Sequence, residues 1–159
     1  MAKKPEYVEK SSDTFLEKKI FHFETNSSKS TEMLGRKLAK WIKKYKVRCV
    51  IFLGPFGSGK TTMIRGVIKS LTGITNIPSP SFSIVNQYSK GKMIVYHFDF
   101  YRIKNAVELE SFGFSEYIDN GLLLIEWPEV AMEKIPAKAL KVTMNFLGLK
   151  RRKITIAFI

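Results

Sequence analysis

The strongest chemical pattern in the sequence lies at residues 54–61, which read G-P-F-G-S-G-K-T. This segment matches G-x-x-x-x-G-K-[ST] in full, with a nearly continuous apolar run at 48–53 before it and helical spacing after it. Glycines let backbone N–H groups approach phosphate oxygens, and the start of a helix adds partial positive charge. The pattern therefore predicts a nucleotide phosphate site in which Lys60 reaches the β- and γ-phosphates and Thr61 binds Mg²⁺.

The residues around this lysine are predicted to complete the nucleotide site. Gly57, Ser58 and Gly59 supply the backbone of the phosphate loop, and Thr62 adds a hydroxyl near the α-phosphate. Trp127 lies much later in the chain, directly after a predicted strand. Its side chain either lines the nucleotide pocket or packs in the core, and the sequence favours neither.

A phosphate site also needs carboxylates for the metal ion and for the attacking water. Two predicted strands end in one, because 93–99 ends in Asp99 and 122–126 ends in Glu126. Ligands of open α/β sheets bind at the carboxyl ends of the strands, so both side chains are predicted to lie near the nucleotide. A carboxylate at such a position can instead cap a helix, and spacing alone does not assign the metal to either.

The histidine and cysteine content limits other chemistry. His97 lies two residues before Asp99, so the two side chains share one face of the predicted strand. A catalytic His–Asp pair has no evident nucleophile here, and a packed strand histidine is the favoured interpretation. Cys49 is predicted to be a small core residue. One cysteine and two histidines exclude an internal disulfide and a zinc site built on Cys and His.

The elements that must position these residues alternate between strands and helices. Apolar spacing predicts strands at 19–24, 48–53, 82–88, 93–99 and 122–126, a hairpin at 139–146 and 153–159, and helices at 30–44, 60–71, 105–111 and 129–134. The early alternation and the later hairpins favour a mixed α/β sheet covered by helices.

Length and composition bound the architecture further. The chain has 159 residues, of which 45% are hydrophobic and 26% charged, as expected for one globular domain. Residues 1–17 are predicted to be a polar extension and 18–159 a single domain. No apolar run approaches the roughly 18 residues of a membrane span, and no signal-peptide apolar region is evident. The expected location is therefore the cytoplasm.

The net charge of +13 is unevenly distributed. Residues 33–98 contain twelve Lys and Arg and no acid, whereas 99–133 contain eight acids and two cations. A basic balance suits an anionic partner, and the outer face of the helix at 30–44 and the cluster at 150–153 suggest direct contact with RNA. A solvated, lysine-rich surface is the simpler explanation of the same charges.

Several linked segments together resemble the TsaE family. They read GPFGSGKTT at 54–62, SPSF at 79–82, HFDFYR at 97–102, ELESFGFSEY at 108–117 and IEWPE at 125–129. They occur in the order and spacing of that family, and the resemblance covers about residues 19–136. It implies a P-loop NTPase-like three-layer sandwich, with a mixed, mostly parallel sheet, helices on both faces and a C-terminal hairpin.

The resemblance also implies a function. Proteins of this family are the Mg²⁺-dependent ATPases of bacterial tRNA threonylcarbamoyladenosine synthesis at A37, converting ATP to ADP. They act with TsaB and TsaD, so tRNA is expected to be engaged through that complex, while the basic patches of this chain leave direct contact open. Arg102 is the candidate for an arginine finger within the chain, and a partner could supply one instead. Slow hydrolysis by the isolated chain is therefore expected.

By position, the resemblance also implies roles for individual residues. Lys60, Asp99 and Glu126 are catalytic, and Glu126 joins Thr61 on Mg²⁺. Asp99 serves the switch and the attacking water. The switch itself is Ser79, Pro80 and Ser81, in which a hydroxyl senses the γ-phosphate. Two residues depart from the family pattern, since Pro55 stands where Asp is common and Ser81 where Thr is common.

Two other functions remain as alternatives. A small-molecule phosphotransferase could use the same loop, but its lid usually bears arginines, and only Arg65 and Arg102 lie between the loop and residue 150. An RNA-binding module with a nucleotide switch would use the basic patches, but the complete loop and both acidic strand ends argue against a degenerate site.

Overall fold

The computed structural model describes residues 19–159, and the extension predicted for residues 1–17 lies outside them. The strands run over Ile20–Thr25 (β1), Cys49–Leu53 (β2), Val85–Lys90 (β3), Met93–Asp99 (β4), Leu122–Glu126 (β5), Leu140–Phe146 (β6) and Arg152–Phe158 (β7). The helices are Ser28–Lys44 (α1), Lys60–Thr72 (α2), Ala106–Ser111 (α3) and Phe114–Ile118 (α4), with a 3-10 helix at Pro128–Lys134.

All seven strands form one mixed sheet in the order β1-β7-β6-β2-β5-β4-β3. The four strands from β6 to β4 pair in parallel, and antiparallel pairings add β3 at one edge and β7 and β1 at the other. Three of the six pairings are parallel, and β6 and β7 form the C-terminal hairpin. The predicted α/β fold with a mixed sheet is confirmed.

The helices lie on both faces of the sheet and bury two separate cores. Along β2 the side chains alternate, so that Val50 and Phe52 pack under α1 and α2 while Cys49 and Ile51 pack on the opposite side. A strand covered on both faces must be apolar at every position, which explains the continuous hydrophobic run that precedes the phosphate loop.

The layer of α1 and α2 is built on long helices with clear ends. Ser27 caps α1, because its hydroxyl accepts from the Ser30 backbone N–H while the Ser30 hydroxyl accepts from the Ser27 N–H. The two helices cross where Gly35 meets Gly66. A Cβ built on Gly35 would lie 2.1 Å from the Met63 carbonyl oxygen, and one on Gly66 would lie 2.1 Å from the Glu32 carbonyl oxygen. The backbones are therefore in direct contact.

The opposite layer consists of α3, α4 and the 3-10 helix, which are short and packed through aromatic rings. Phe98 of β4 is fully buried and contacts the rings of Phe100, Phe114 and Tyr117 at centroid distances of 5.2–5.3 Å. This layer also contains most of the acids of residues 99–133. The two faces of the sheet therefore differ in charge as well as in construction.

The structure corrects three predicted elements. The strand predicted at 82–88 begins at Val85, because residues 81–84 form a turn in which Ile84 has a φ of 67°. The helix α4 was not predicted, since it is a five-residue element that begins after Gly113. The helix predicted at 129–134 is a 3-10 helix. Among the described residues, no helix is both long and apolar enough to cross a membrane.

Candidate functional site

The predicted site residues converge at the carboxyl edge of the central parallel strands. The phosphate loop follows β2, and Asp99 and Glu126 end the neighbouring strands β4 and β5. Asp99 pairs in register with Glu126, and Glu126 pairs with Phe52 of β2. Both carboxyl groups are buried, with Asp99 at 7% and Glu126 at 3% exposure. This edge is where open α/β sheets bind ligands.

The phosphate loop has the backbone that close approach to an anion requires. Gly57 and Gly59 have φ values of 74° and 100°, in the left-handed region that favours glycine. Gly59 is also the N-terminal cap residue of α2, so the first N–H groups of that helix are not covered by a capping side chain. Ser58 is fully buried, and its hydroxyl has no hydrogen-bond partner among the described residues. Thr62 is half-buried in the first turn.

Lys60 is folded back onto the loop. Its Nζ donates to the carbonyl oxygens of Gly54 at 2.8 Å and Pro55 at 3.1 Å. The same ammonium lies 4.1 Å from the ring centroid of Trp127, a cation–π contact. Trp127, half-buried and at a φ of 55°, therefore covers the lysine. Trp127 also packs against the core on the α3 and α4 face of the sheet, so its place in the nucleotide pocket stays a prediction.

Burial and charge act on Lys60 in opposite directions. Burial lowers the pKa of its ammonium below the ordinary value of 10.5, while the carboxylates of Glu126, Asp99 and Glu129 raise it. Burial has the larger effect. An additional negative group at this position would favour the charged form further.

Thr61 and Glu126 are in direct contact. The Thr61 hydroxyl donates to the carboxylate of Glu126, with distances of 2.8 Å to Oε1 and 3.0 Å to Oε2. His97 lies behind them, and its Nε2 is 2.9 Å from Oε1 of Glu126. The histidine is fully buried, and its Nδ1 has no partner among the described residues. The carboxylate is thus fixed between a hydroxyl and an imidazole.

The second carboxylate contacts the predicted switch segment. Oδ2 of Asp99 accepts a 2.6 Å hydrogen bond from the Ser81 hydroxyl, and Oδ1 accepts from the backbone N–H of Tyr101 at 3.0 Å. Ser79 extends this network, because its hydroxyl lies 2.8 Å from that of Ser81. Pro80 between them is buried, and its carbonyl accepts from the N–H of Ile84 at 2.7 Å.

The residues present fit a magnesium ion held together with a nucleotide. Mg²⁺ prefers oxygen ligands and is commonly held by one or two protein groups plus substrate phosphates. The hydroxyl of Thr61 and the carboxylate of Glu126 are such ligands, and they already lie at 2.8 and 3.0 Å from each other. Within residues 19–159, no three His, Cys, Asp or Glu side chains are grouped to hold a metal. The donor set therefore suits a metal that arrives with phosphates.

Two residues of the site were not predicted from the sequence. His97 is buried in β4, as the favoured interpretation expected, but its ring contacts Glu126 on the next strand, a partner that was not predicted. Arg152 was grouped with a basic surface cluster, yet its Nε donates to the carbonyl of Ser58 in the phosphate loop at 3.0 Å. Both contacts depend on which strands are neighbours, and no local motif encodes that.

The other arginines considered in the sequence have defined positions. Arg102 is exposed, and its guanidinium lies 4.5 Å from the ring centroid of Phe82, which is itself 86% exposed. Arg151 pairs with Glu24 of β1 at 2.7 Å. The basic cluster at 150–153 is thus partly engaged within the chain.

Comparison with known proteins identifies similar chains. The family model described as "Threonylcarbamoyl adenosine biosynthesis protein TsaE" matches residues 25–154. The chain is 34% identical over 132 residues to the tRNA threonylcarbamoyladenosine biosynthesis protein TsaE of Rickettsia prowazekii, covering 82% of this chain and 90% of that one. It is 38% identical over 104 residues to the Bacillus subtilis protein of the same name, covering 64% of each. The crystal structure of YdiB from Bacillus subtilis superimposes with a TM-score of 0.71 and 27% identity, covering 89% of this chain and 87% of the other.

Proposed function

The chain belongs to the TsaE family, and from this membership and the site geometry we propose that it is a Mg²⁺-dependent ATPase. Its biological role is in tRNA threonylcarbamoyladenosine biosynthesis. The observation that supports ATP hydrolysis is the contact between Thr61 and Glu126, at 2.8 and 3.0 Å, beside a complete phosphate loop. A loop that only bound phosphate would not need a buried carboxylate at the metal position.

Lys60 is the residue that would respond first to ATP. Its ammonium now lies on two loop carbonyls, and the β- and γ-phosphates offer charged acceptors in their place. Because burial lowers its pKa, the lysine gains more from a nearby phosphate than an exposed lysine would. Trp127 would remain over the ammonium and exclude water from this side of the loop.

Thr61 and Glu126 would hold the metal ion. Mg²⁺, when bound, neutralises charge that develops on the β- and γ-phosphates during transfer. His97 keeps the carboxylate of Glu126 in position, since it contacts the same oxygen that accepts from Thr61. The metal ligands are therefore oriented before the metal arrives.

Asp99 and Ser81 would couple hydrolysis to the switch. A γ-phosphate oxygen is an alternative acceptor for the Ser81 hydroxyl, which now donates to Asp99 at 2.6 Å. When the hydroxyl turns to the phosphate, one oxygen of Asp99 becomes free to accept from the attacking water. Loss of the γ-phosphate would return Ser81 to Asp99, and the segment at 79–82 would change its exposed surface.

Partner proteins of the TsaD and TsaB types are the expected readers of this switch. Phe82 is 86% exposed within the segment, where a partner could cover it. Arg102 lies over Phe82 and not on the phosphate loop, so we expect the partner complex to accelerate hydrolysis. An arginine finger supplied by a partner is worth about 10³–10⁵ in rate.

Phosphate release from Mg²⁺-ATP tests the proposal directly. We expect slow release by the purified chain and a marked increase when a matching TsaB–TsaD pair is added. A rate that the pair does not change would contradict the regulatory role. Phosphate transfer to a panel of nucleosides and nucleotides would instead support a phosphotransferase. Equal affinity of the pair for the ATP-analogue and ADP states would contradict the switch.

A further inference from the structure

The outer surface of α1 carries a row of cations. Lys37, Lys40 and Lys43 are exposed and spaced three residues apart over less than two helical turns, so neighbours lie about 4.5 Å apart along the helix axis. Within residues 19–159, no carboxylate forms an ion pair with any of these three. The acid of α1, Glu32, is engaged elsewhere, by Arg36 at 3.0 Å and Lys69 at 3.4 Å. The surface of this helix therefore has a strong positive field.

An apolar groove opens beside this row. It has a volume of about 180 Å³ and lies between α1 and the sheet edge formed by β1 and β7. Phe23, Trp41 and Ile156 line it, and Lys37 and Lys40 border it. The Trp41 indole is half-buried and packs on Phe21 at a centroid distance of 4.6 Å, so its ring is held in a fixed orientation. Cations bordering an aromatic wall form the combination that binds phosphates and bases together.

We propose that α1 and this groove form a direct RNA-binding surface. Lys37, Lys40 and Lys43 would contact successive phosphates, and an unstacked base would lie against Trp41. Charge complementarity favours a polyanion, and the bordering aromatic groove favours RNA over an acidic protein segment. That the RNA is a tRNA rests on the proposed function, whereas the charge and the groove do not.

The other basic surface is less suited to this role. Arg151 in the cluster at 150–153 pairs with Glu24, and Arg152 binds the Ser58 carbonyl. A phosphate that bound there would compete with contacts inside the chain. The row on α1 has no such competition from the described carboxylates, so a phosphate that bound there would displace no ion pair of these three lysines within residues 19–159.

The test compares two variants with equal loss of charge. One is Lys37→Gln/Lys40→Gln/Lys43→Gln, and the control is Lys90→Gln/Lys92→Gln/Lys104→Gln, whose lysines are also exposed but lie away from α1. Binding of fluorescent tRNA is measured between about 50 and 200 mM salt, the range over which phosphate contacts weaken strongly. Melting temperature and phosphate release are recorded for both variants.

We expect the α1 variant to lose at least about tenfold in affinity, with the slope of log affinity against log salt reduced by about 2. The control should stay within about twofold of the unmodified chain at each salt concentration, since its lysines do not border the groove. In addition, Trp41→Leu should weaken binding several-fold without changing the salt slope, because stacking releases no counterions.

Several outcomes would overturn the proposal. The first is absence of tRNA binding by the unmodified chain at the lowest salt, and the second is an equal loss of affinity in the two lysine variants. The third is competition by polyglutamate as effective as that by RNA, because it would indicate an acidic protein partner. The readouts separate this proposal from the proposed function. If the two lysine variants lose tRNA affinity equally while the unmodified chain still releases phosphate, only the RNA surface is refuted. If the unmodified chain binds tRNA through α1 but releases no phosphate, only the ATPase is refuted.

Discussion

The phosphate loop and the switch segment at 79–82 border the same strand ends, but different interactions hold them. Glycines allow the left-handed backbone of the loop, and the buried Lys60 on two carbonyls and Arg152 on the Ser58 carbonyl hold it. Within residues 19–159, the switch segment contacts the site through one side-chain hydrogen bond, from Ser81 to Asp99. Phe82, the last residue of this segment, is 86% exposed, so its side chain is not packed in the core of the described residues.

Under the proposed function, this difference would separate nucleotide binding from signalling by the switch. A loop formed before the nucleotide arrives does not have to be ordered at the cost of binding energy. A segment joined by a single hydroxyl can exchange that contact for a phosphate with little rearrangement. Substitutions in the loop should therefore impair nucleotide binding and hydrolysis together, whereas substitutions in the switch should impair hydrolysis alone.

Lys60→Ala should have the largest effect. Under the proposed function the ammonium stabilises the transferring phosphate, so its removal should lower phosphate release by about 10²-fold or more and weaken ATP binding. The measurement is steady-state phosphate release together with calorimetric titration of ATP. Lys69→Ala, in the last turn of the same helix, is the matched control and should keep the normal rate. If the two variants behave alike, the loop does not have the role given to it here.

His97→Leu should have the next largest effect. It tests whether the residue behind Glu126 supports metal binding beside the phosphate loop. Loss of the imidazole leaves Oε1 of Glu126 without one of its two contacts. Changes behind metal ligands typically cost about 10–100-fold in metal affinity. We expect ATP affinity to fall about tenfold in Mg²⁺ and to stay unchanged in EDTA.

The variant His97→Gln provides the control for this prediction. Its amide N–H can reach a position close to that of Nε2 and should restore most of the Mg²⁺ dependence. Equal losses with and without Mg²⁺ would show instead that His97 supports only the fold.

Ser81→Ala should have a smaller effect, confined to the switch. One hydrogen bond is worth about 1 kcal/mol, so we expect phosphate release to fall about fivefold. ATP affinity should remain within about twofold, because the loop is intact. Ser83→Ala, whose hydroxyl contacts Asn86 outside the site, is the control. Ser81→Thr should retain activity. A large loss of ATP affinity in Ser81→Ala would contradict the separation of the phosphate loop, which binds ATP, from the switch segment.

Cys49 labelling should show no effect of nucleotide at all. Burial raises the pKa of this thiol from 9.0 to about 12, and the residue is 1% exposed on the strand that leads into the loop. In the folded chain, raising the pH from 7 to 9 should therefore not increase labelling by a thiol reagent, whereas the unfolded chain should react faster across that range. Rapid labelling of Cys49 in the folded chain, with or without ATP, would contradict a rigid strand β2 and hence a phosphate loop that is formed before ATP binds.

The phosphate loop and the two carboxylates beside it could be predicted from the sequence better than the contacts that surround them. The phosphate loop is a local motif, and Asp99 and Glu126 could be found because each ends an apolar strand. The partner of His97 could not be predicted, because that contact requires β4 and β5 to be neighbours in a particular register. The same holds for Arg152, which the hairpin of β6 and β7 brings to the loop from 94 residues away.

The start of strand β3, which follows the switch segment, was predicted too early. Apolar spacing between residues 82 and 88 led to the prediction of a strand from residue 82. The chain instead turns until Ile84, which adopts a φ of 67°, and enters β3 only at Val85. Apolar spacing indicates which side chains could be buried, but it does not tell where strand pairing begins. The turn keeps the Ser81 hydroxyl within reach of Asp99.

The crossing of Gly35 and Gly66 has a consequence for how this family can diverge. At each position the atom opposing a new Cβ is a backbone carbonyl oxygen at 2.1 Å, not a side chain. Covariation between contacting residues normally arises because one side chain shrinks when the other grows, and a carbonyl cannot shrink. We therefore expect both positions to stay glycine independently across homologues, with no correlated exchange between them. The crossing would be invisible to contact prediction from correlated substitutions, although it sets the spacing of two helices.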